Sequence, residues 1–243
     1  MQLSAGTAAH ARYLLDNFAA KIRAGAPLGG GAYKEDPALK GYSTIGARVA
    51  PNSQLAWGCG DFDAGQVIDR WAAGPFHRLA MLNPHLTKAG FGTAAESGCF
   101  VMALRLPPEG ELEPYAKPVE FPPAGTFAPL QWTDEENPDP LSSCSGYTAP
   151  SGLPITLQLG RLADPQISVE SLSENGKPIE HCAYTARTYR NPNASAREYG
   201  RWMLRNAGAI VLVPRHPLDP GGKYAVSVTT HGHTYDWTIQ IAK

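Results

Sequence analysis

The chain has 243 residues, 21 of them Lys or Arg against 22 Asp or Glu, for a formal net charge of -1. That length allows one large domain or two ordinary ones, each able to bury a core. The balanced charge gives no electrostatic case for nucleic acid or an anionic membrane surface, and no apolar run of 18 residues reads as a transmembrane segment.

The opening residues, MQLSAGTAAHARYLL, lack the basic-then-apolar layout of a signal peptide, so any leader is expected to lie outside this chain. Residues 4–23 predict an amphipathic helix. Ser4 is the expected cap, and Leu14, Leu15, Phe18 and Ile22 recur at helical spacing, with His10 on the same inward side. GAPLGGGAYKEDPALKGYS reads as loop. A second helix is predicted from about Asp63 to Ala73, with Asp61 and Asp63 at its N-terminus in capping roles. Gly74-Pro75 should stop it, and Pro75 should open a further helical turn through Met81. KAGFGTAAESGCFVMALRL reads as a hairpin whose second arm runs from Cys99 to Leu106.

Composition then shifts. Residues 107–154 hold 11 of the 22 prolines, which predicts a stiff connector without regular elements and a domain boundary. Beyond it, LPITLQLG, AIVLVP and KYAVSVTTHGHTYDWTIQIA carry strand patterns, and the last is a hairpin around Gly232. Residues 151–243 are therefore expected to form a small β-sandwich.

The four cysteines, Cys59, Cys99, Cys144 and Cys182, include no C-x-x-C pair, which argues against structural zinc. An even count at wide spacing fits two disulfides in an oxidising compartment. Of three possible pairings, Cys59–Cys99 with Cys144–Cys182 is favoured because it places one bridge in each half. The alternative is four buried thiols.

His77, followed by Arg78, can either face a cavity as a metal ligand or proton carrier, or fix its turn by bonding a backbone carbonyl. Arg78 is expected to pair with a carboxylate such as Asp69. Glu35, in YKED, could supply a carboxylate to a cavity holding His77, or remain a solvated loop charge. His231-Gly232-His233 sits at a hairpin tip without a third ligand nearby in sequence, which reads against a metal site. No G-x-S-x-G elbow and no phosphate-binding glycine loop appears. Asn193-Ala194-Ser195 is a formal glycosylation sequon.

VIDRWAAGPFHRLAMLNPHLTKAGFG places Trp71, His77-Arg78, Leu82, Pro84, Gly90 and Gly92 at spacings that resemble the bacterial branch of the CAP superfamily, the SCP-like fold of cysteine-rich secretory and pathogenesis-related proteins. AAHARYLLDN and YKEDPALKGYSTIGARVAPNSQLAWG are similar to that family's first histidine-bearing helix and central loop, and the resemblance covers about residues 4–106. The segments after residue 150 resemble an immunoglobulin-like domain. The resemblance implies an α+β chain: a three-layer α-β-α CAP sandwich over residues 1–106, a Pro-rich linker over 107–150, and an all-β immunoglobulin-like sandwich over 151–243. It implies a cavity formed by His77, Glu35, His10, Tyr33, Trp71 and Arg78, with His77 and Glu35 as ligands of a divalent metal such as zinc. Tyr33 stands where many members carry a histidine, and APNSQ, with Asn52, where many carry Gly-Glu-Asn. The expected role is binding rather than catalysis. The partner would be a small molecule, a lipid or an extracellular polymer, met in a secreted, extracellular or periplasmic setting. A metal-assisted hydrolase using His77 and Glu35 is one alternative, and a structural support for a partner-binding β-sandwich is another.

Overall fold

A computed structural model describes residues 2–107, 114–127, 131–133 and 136–243. Pro108 and Pro129 of the Pro-rich segment lie outside the described residues. The chain combines helices with antiparallel sheets, a mixed α+β fold. It divides into two compact units, Met1–Ile68 with His85–Glu109, and Asp69–Pro84 with Gly110–Lys243.

The first unit is built on helix α1 (Gln2–Arg23) and a three-stranded antiparallel sheet of β1 (Ser53–Cys59), β2 (Gly90–Glu96) and β3 (Cys99–Arg105), in the order β1-β3-β2. The apolar spacing predicts α1 well, but the helix starts at Gln2, so Ser4 is inside it and not its cap. The Ser4 hydroxyl instead accepts the Phe91 N–H at 3.4 Å. The inward face of α1, with Ala11, Leu14, Leu15 and Ile22, packs with Leu55, Val101 and Ala103 of the sheet. The Gly-x-Gly of β2 has a steric reason. A Cβ on Gly92 would lie 2.1 Å from the Ala8 amide nitrogen, so the helix backbone crosses the strand where no side chain fits. The short helix α2 (Thr44–Val49) is capped by Ser43, whose hydroxyl accepts the Gly46 N–H at 3.0 Å. Cys59 and Cys99 face each other in the β1–β3 ladder with Cα atoms 3.9 Å apart and form a disulfide.

Helix α3 (Ala64–Ala73) begins at Asp63, whose carboxylate accepts the Gly65 N–H at 2.7 Å, as the capping pattern predicts. It ends at Gly74, and α4 (Pro75–Met81) starts on Pro75. Residues 69–84, expected with the N-terminal domain, group with the second unit.

Around α4 the second unit sets two sheets. The remaining strands are β4 (Pro114–Phe121), β5 (Gly125–Phe127), β6 (Gln131–Trp132), β7 (Ser151–Gly152), β8 (Ile155–Gly160), β9 (Ile167–Glu174), β10 (Lys177–Pro178), β11 (His181–Thr185), β12 (Ala209–Pro214), β13 (Lys223–Thr230) and β14 (His233–Ile241), with α5 (Ala194–Ala207) between β11 and β12. One sheet runs β11-β12-β8-β4 and the other β10-β9-β13-β14-β5, with β6 and β7 pairing separately. Strand periodicity splits β12 between two cores. Ile210 and Leu212 meet Leu157, Val226, Trp237 and Ile239 between the sheets, while Ala209, Val211 and Val213 face Phe76 and Leu79 of α4 and Leu204 of α5. The two central strands of this sheet are thus covered on both faces, which is why β8 and β12 read as unbroken buried runs.

The expectation of a connector without regular elements over 107–150 does not hold for its described residues. β4 pairs with β8, and β5 pairs in parallel with β14. Pro114 and Pro118 are accommodated because β4 is an edge strand whose register against β8 breaks between Pro114 and Val119. The sandwich therefore recruits strands well upstream of residue 151. Cys144 and Cys182 form the second disulfide. With sequence separations of 40 and 38, each bridge contributes about 3–4 kcal/mol by restricting the unfolded chain.

Replacing Gly92 by alanine drives a methyl into the α1 backbone and is expected to cost about 2–3 kcal/mol in urea unfolding. Gly30→Ala, with nothing within 4 Å of its added Cβ, should stay within about 0.5 kcal/mol of wild type. Equal effects of the two substitutions would refute the close-crossing account.

Candidate functional site

Two histidine–glutamate pairs occupy the two units, and each is built on a glycine. In the first unit, α1 carries His10 inward, and the loop that follows supplies Glu35. His10 Nδ1 lies 2.9 Å from Glu35 Oε1, both side chains having 0% exposure. His10 Nε2 lies 2.9 Å from the Ala32 carbonyl oxygen, and since a carbonyl only accepts, Nε2 carries the proton there. The other carboxylate oxygen, Oε2, accepts the Ser43 N–H at 3.1 Å. A Cβ on Gly46 would lie 2.3 Å from Glu35 Oε1, so glycine at the start of α2 makes room for the carboxylate. Glu35 therefore ties α1 to the loop and to the cap of α2.

In the second unit, Glu136 Oε1 accepts both the His77 backbone N–H at 2.6 Å and its Nδ1–H at 2.7 Å. The carboxylate reaches the first turn of α4 across Gly74, where a Cβ would lie 2.7 Å from the carboxylate carbon. The N-terminal amides of α4 have no cap from Gly74, and Glu136 fills that role from 59 residues away. Trp71 stacks on the His77 ring at 5.7 Å with planes 9° apart, which fixes the imidazole from its other side.

Arg78 points the opposite way. Its side chain is buried, and its guanidinium donates to the carbonyls of Ala72 at 2.6 Å, Ala73 at 3.3 Å and Pro154. It also lies 4.1 Å from the centre of the Phe121 ring. The expected pairing with Asp69 is thus replaced by carbonyl contacts. Arg78 closes the end of α3 and joins it to the entrance of β8. Burial pulls its pKa down to about 9, with Glu136 and Tyr184 acting in the opposite direction, so the group is charged at neutral pH. Charge-assisted bonds contribute on the order of 2 kcal/mol each, and burying a guanidinium costs several kcal/mol, so the two nearly offset and the role is positional.

Across the sheet beneath Arg78, the register aligns Tyr184, Val211, Thr156 and Phe121 in one row. Tyr184 is buried and its phenol is raised well above the ordinary value, chiefly by desolvation, so it is a neutral hydroxyl.

The remaining expected positions are placed as follows. Tyr33 ends a 3₁₀ turn (Gly30–Tyr33) and is exposed. His231 holds the turn after β8 by approaching the Ala163 and Asp164 carbonyls at 3.0 and 3.2 Å. Asn193 of the sequon caps α5, its side-chain oxygen accepting the Ala196 N–H at 2.9 Å. The structure brings His10 and Glu35 together, whereas His77 belongs to the other unit and takes Glu136, which sequence reading missed. Glu136 lies in the Pro-rich, acidic WTDEENPDP, where nothing in the pattern singles out one carboxylate from the next.

A metal held by His77 and Glu35 does not fit this arrangement. Both oxygens of Glu35 and both ring nitrogens of its partner His10 are engaged with protein groups. Among the described residues no group of three His, Cys, Asp or Glu side chains is placed to hold an ion. What the first unit does offer is an open depression of about 580 Å³ whose wall includes Tyr13, Phe18, Lys34, Asp36, Pro37 and Leu39. Glu35 contributes to this wall with its carboxylate already committed.

Truncating Glu136 to alanine should lower stability by about 2–3 kcal/mol, since it strips the cap of α4 and leaves the His77 donors unmatched. Glu136→Gln, which keeps an acceptor, should lose less than half of that in the same urea titration. Equal losses would show that only negative charge matters.

No family model matches the chain, and no curated protein matches it. Among solved structures it is similar to a chimeric titin Z1Z2 functionalized with a KLER exogenous peptide from decorin, at 8% identity and a TM-score of 0.23, over 78% of this chain and 80% of that one.

Proposed function

We propose that the chain is a CAP-type binding protein of an extracytoplasmic compartment, and that its ligand sits in the depression of the first unit. The observation that carries this reading is the contrast on one wall. The acid–base residues His10 and Glu35 are sealed into protein hydrogen bonds, while Phe18, Pro37 and Leu39 line an open space beside Lys34 and Asp36. Lys21 Nζ lies 5.8 Å from the centre of the Phe18 ring, so cationic groups flank an apolar surface. This chemistry suits a small amphiphile, with an anionic head against the lysines and an apolar body along Phe18 and Leu39. Both cysteine pairs are bridged, which supports an oxidising compartment. No described helix is long and apolar enough to cross a membrane. The resemblance of the Trp71, His77-Arg78 and Gly90-x-Gly92 pattern to the CAP family supports the family assignment. The steric need for glycine at Gly92 gives that pattern a physical basis in this chain.

A metal-assisted hydrolase is the second reading, and it needs Glu35 to leave Ser43 and His10. The two are separated by parallel titrations of the whole chain with a fluorescent long-chain fatty acid and with zinc. Fatty-acid binding that Leu39→Asp weakens by about tenfold supports the amphiphile reading. Zinc binding that Glu35→Gln abolishes, with no fatty-acid binding, would replace it with the hydrolase.

A further inference from the structure

Helix α5 presents a surface that neither the folding of its own unit nor the depression uses. Its inner face, with Gly200, Leu204 and Ala207, is buried against the second unit. Its outer face carries Tyr199 and Trp202, one turn apart, exposed to 43% and 46%. The two rings stand 5.7 Å apart with planes within 11° of parallel. Trp202 is the exposed member of the five tryptophans; Trp71, Trp132 and Trp237 are buried and Trp57 is half-buried. Leaving two large aromatics nearly half exposed on one helix face forgoes part of their burial, which a purely structural helix would not need to do.

The charge around the rings is net positive, with Glu198 lying 3.7 Å from Arg197 and 4.0 Å from Arg201. From Arg190 to Arg205 the chain carries Arg190, Arg197, Arg201 and Arg205 against the lone acid Glu198, in a protein whose formal net charge is -1. Arg190 and Arg205 are exposed. Arg197 and Arg201 are partly exposed and anchored at the helix surface, donating to the Asn191 carbonyl at 3.2 Å and the Tyr189 carbonyl at 3.0 Å. All four are arginines, whose planar forks match carboxylates in pairs.

We propose that this face of α5 binds an acidic polysaccharide, one whose sugar rings lie on Trp202 and Tyr199 while its uronate carboxylates pair with the flanking arginines. Parallel aromatic faces accept the apolar face of a pyranose, and arginines at intervals along the helix accept charges at intervals along a chain. A polysaccharide fits this setting better than a nucleic acid, because two closed disulfides favour an oxidising compartment. The proposal is independent of the amphiphile depression, since no residue is shared.

The test is calorimetric titration of the whole chain with oligogalacturonate, with neutral dextran and oligothymidylate alongside. Binding of oligogalacturonate is expected, with dextran about tenfold weaker or undetectable and affinity falling as salt rises. Trp202→Ala should weaken it by about tenfold and Trp202→Phe should recover most of the loss, because the ring face is what is used. Arg205→Ala should flatten the salt dependence, and Leu39→Asp should change nothing. The proposal is overturned if oligogalacturonate does not bind, if oligothymidylate binds as well or better, if dextran binds equally, or if Trp202→Ala leaves the affinity within twofold of wild type.

Discussion

A sheet with two apolar faces must be covered twice, and in the second unit that requirement organises almost everything else. β8 and β12 are buried along their whole length. One of their faces is met by β9, β13 and β14 and the other by α4, α5 and the segment around Trp132 and Leu141. The helical cover is short. α4 has seven residues, too few to be stable alone. It is held because Pro75 starts it, Glu136 caps it and Phe76 and Leu79 fill the core, while Arg78 bonds the end of α3 and the entrance of β8. His77-Arg78 is consequently a structural anchor in this chain. The same contacts explain why residues 69–84 group with the β-rich unit even though the strands of the first unit flank them in sequence.

Much of this was legible in the sequence wherever one periodicity dominates. The spacing of Leu14, Leu15 and Ile22 marked α1, Gly74-Pro75 marked the junction of α3 and α4, and the alternation of Tyr224, Val226 and Val228 marked β13. The disulfide pairing was read correctly from the expectation of one bridge in each half, although the β1–β3 ladder that sets Cys59 opposite Cys99 left no mark that was recognised. The Pro-rich segment misled because proline forbids a central strand and leaves an edge strand open, and no local pattern announces which one a segment will become. Ser4 misled for a related reason: a capping residue is recognised by what precedes it, and here the helix continues through it to Gln2.

The candidate site was half legible. His10 and Glu35 were both singled out, and they meet; His77 was singled out, but its partner Glu136 was not. A carboxylate that caps a helix from 59 residues away leaves no periodic trace. Its signature lies in the receiving position, Gly74, where the absent Cβ makes room for it. Gly46 does the same for Glu35. In this chain a glycine at the head of a short helix marks where a distant acid enters, which is a statement about two sequence positions at once and so is invisible to a reading of either.

The distribution of commitments is what separates architecture from function here. Buried ionisable groups are expensive unless they are bonded, so a folded protein that keeps them has tied them to its own framework. The bonds of Glu35 to His10 and Ser43, of Glu136 to His77, and of Arg78 to three carbonyls are such ties. Reactivity at any of them would require giving up contacts on which the loop of the first unit or the helical cover of the second relies. Side chains less tied to the frame lie elsewhere: the apolar and lysine-flanked wall in the first unit, and the stacked rings of α5 with the exposed Arg190 and Arg205. Each sets apolar or aromatic side chains beside cations, Lys34 in the depression and arginines along α5, with an acid, Asp36 or Glu198, in the same neighbourhood. The binding proposed for those two surfaces would draw on side chains at the face of each unit and leave the buried ties in place.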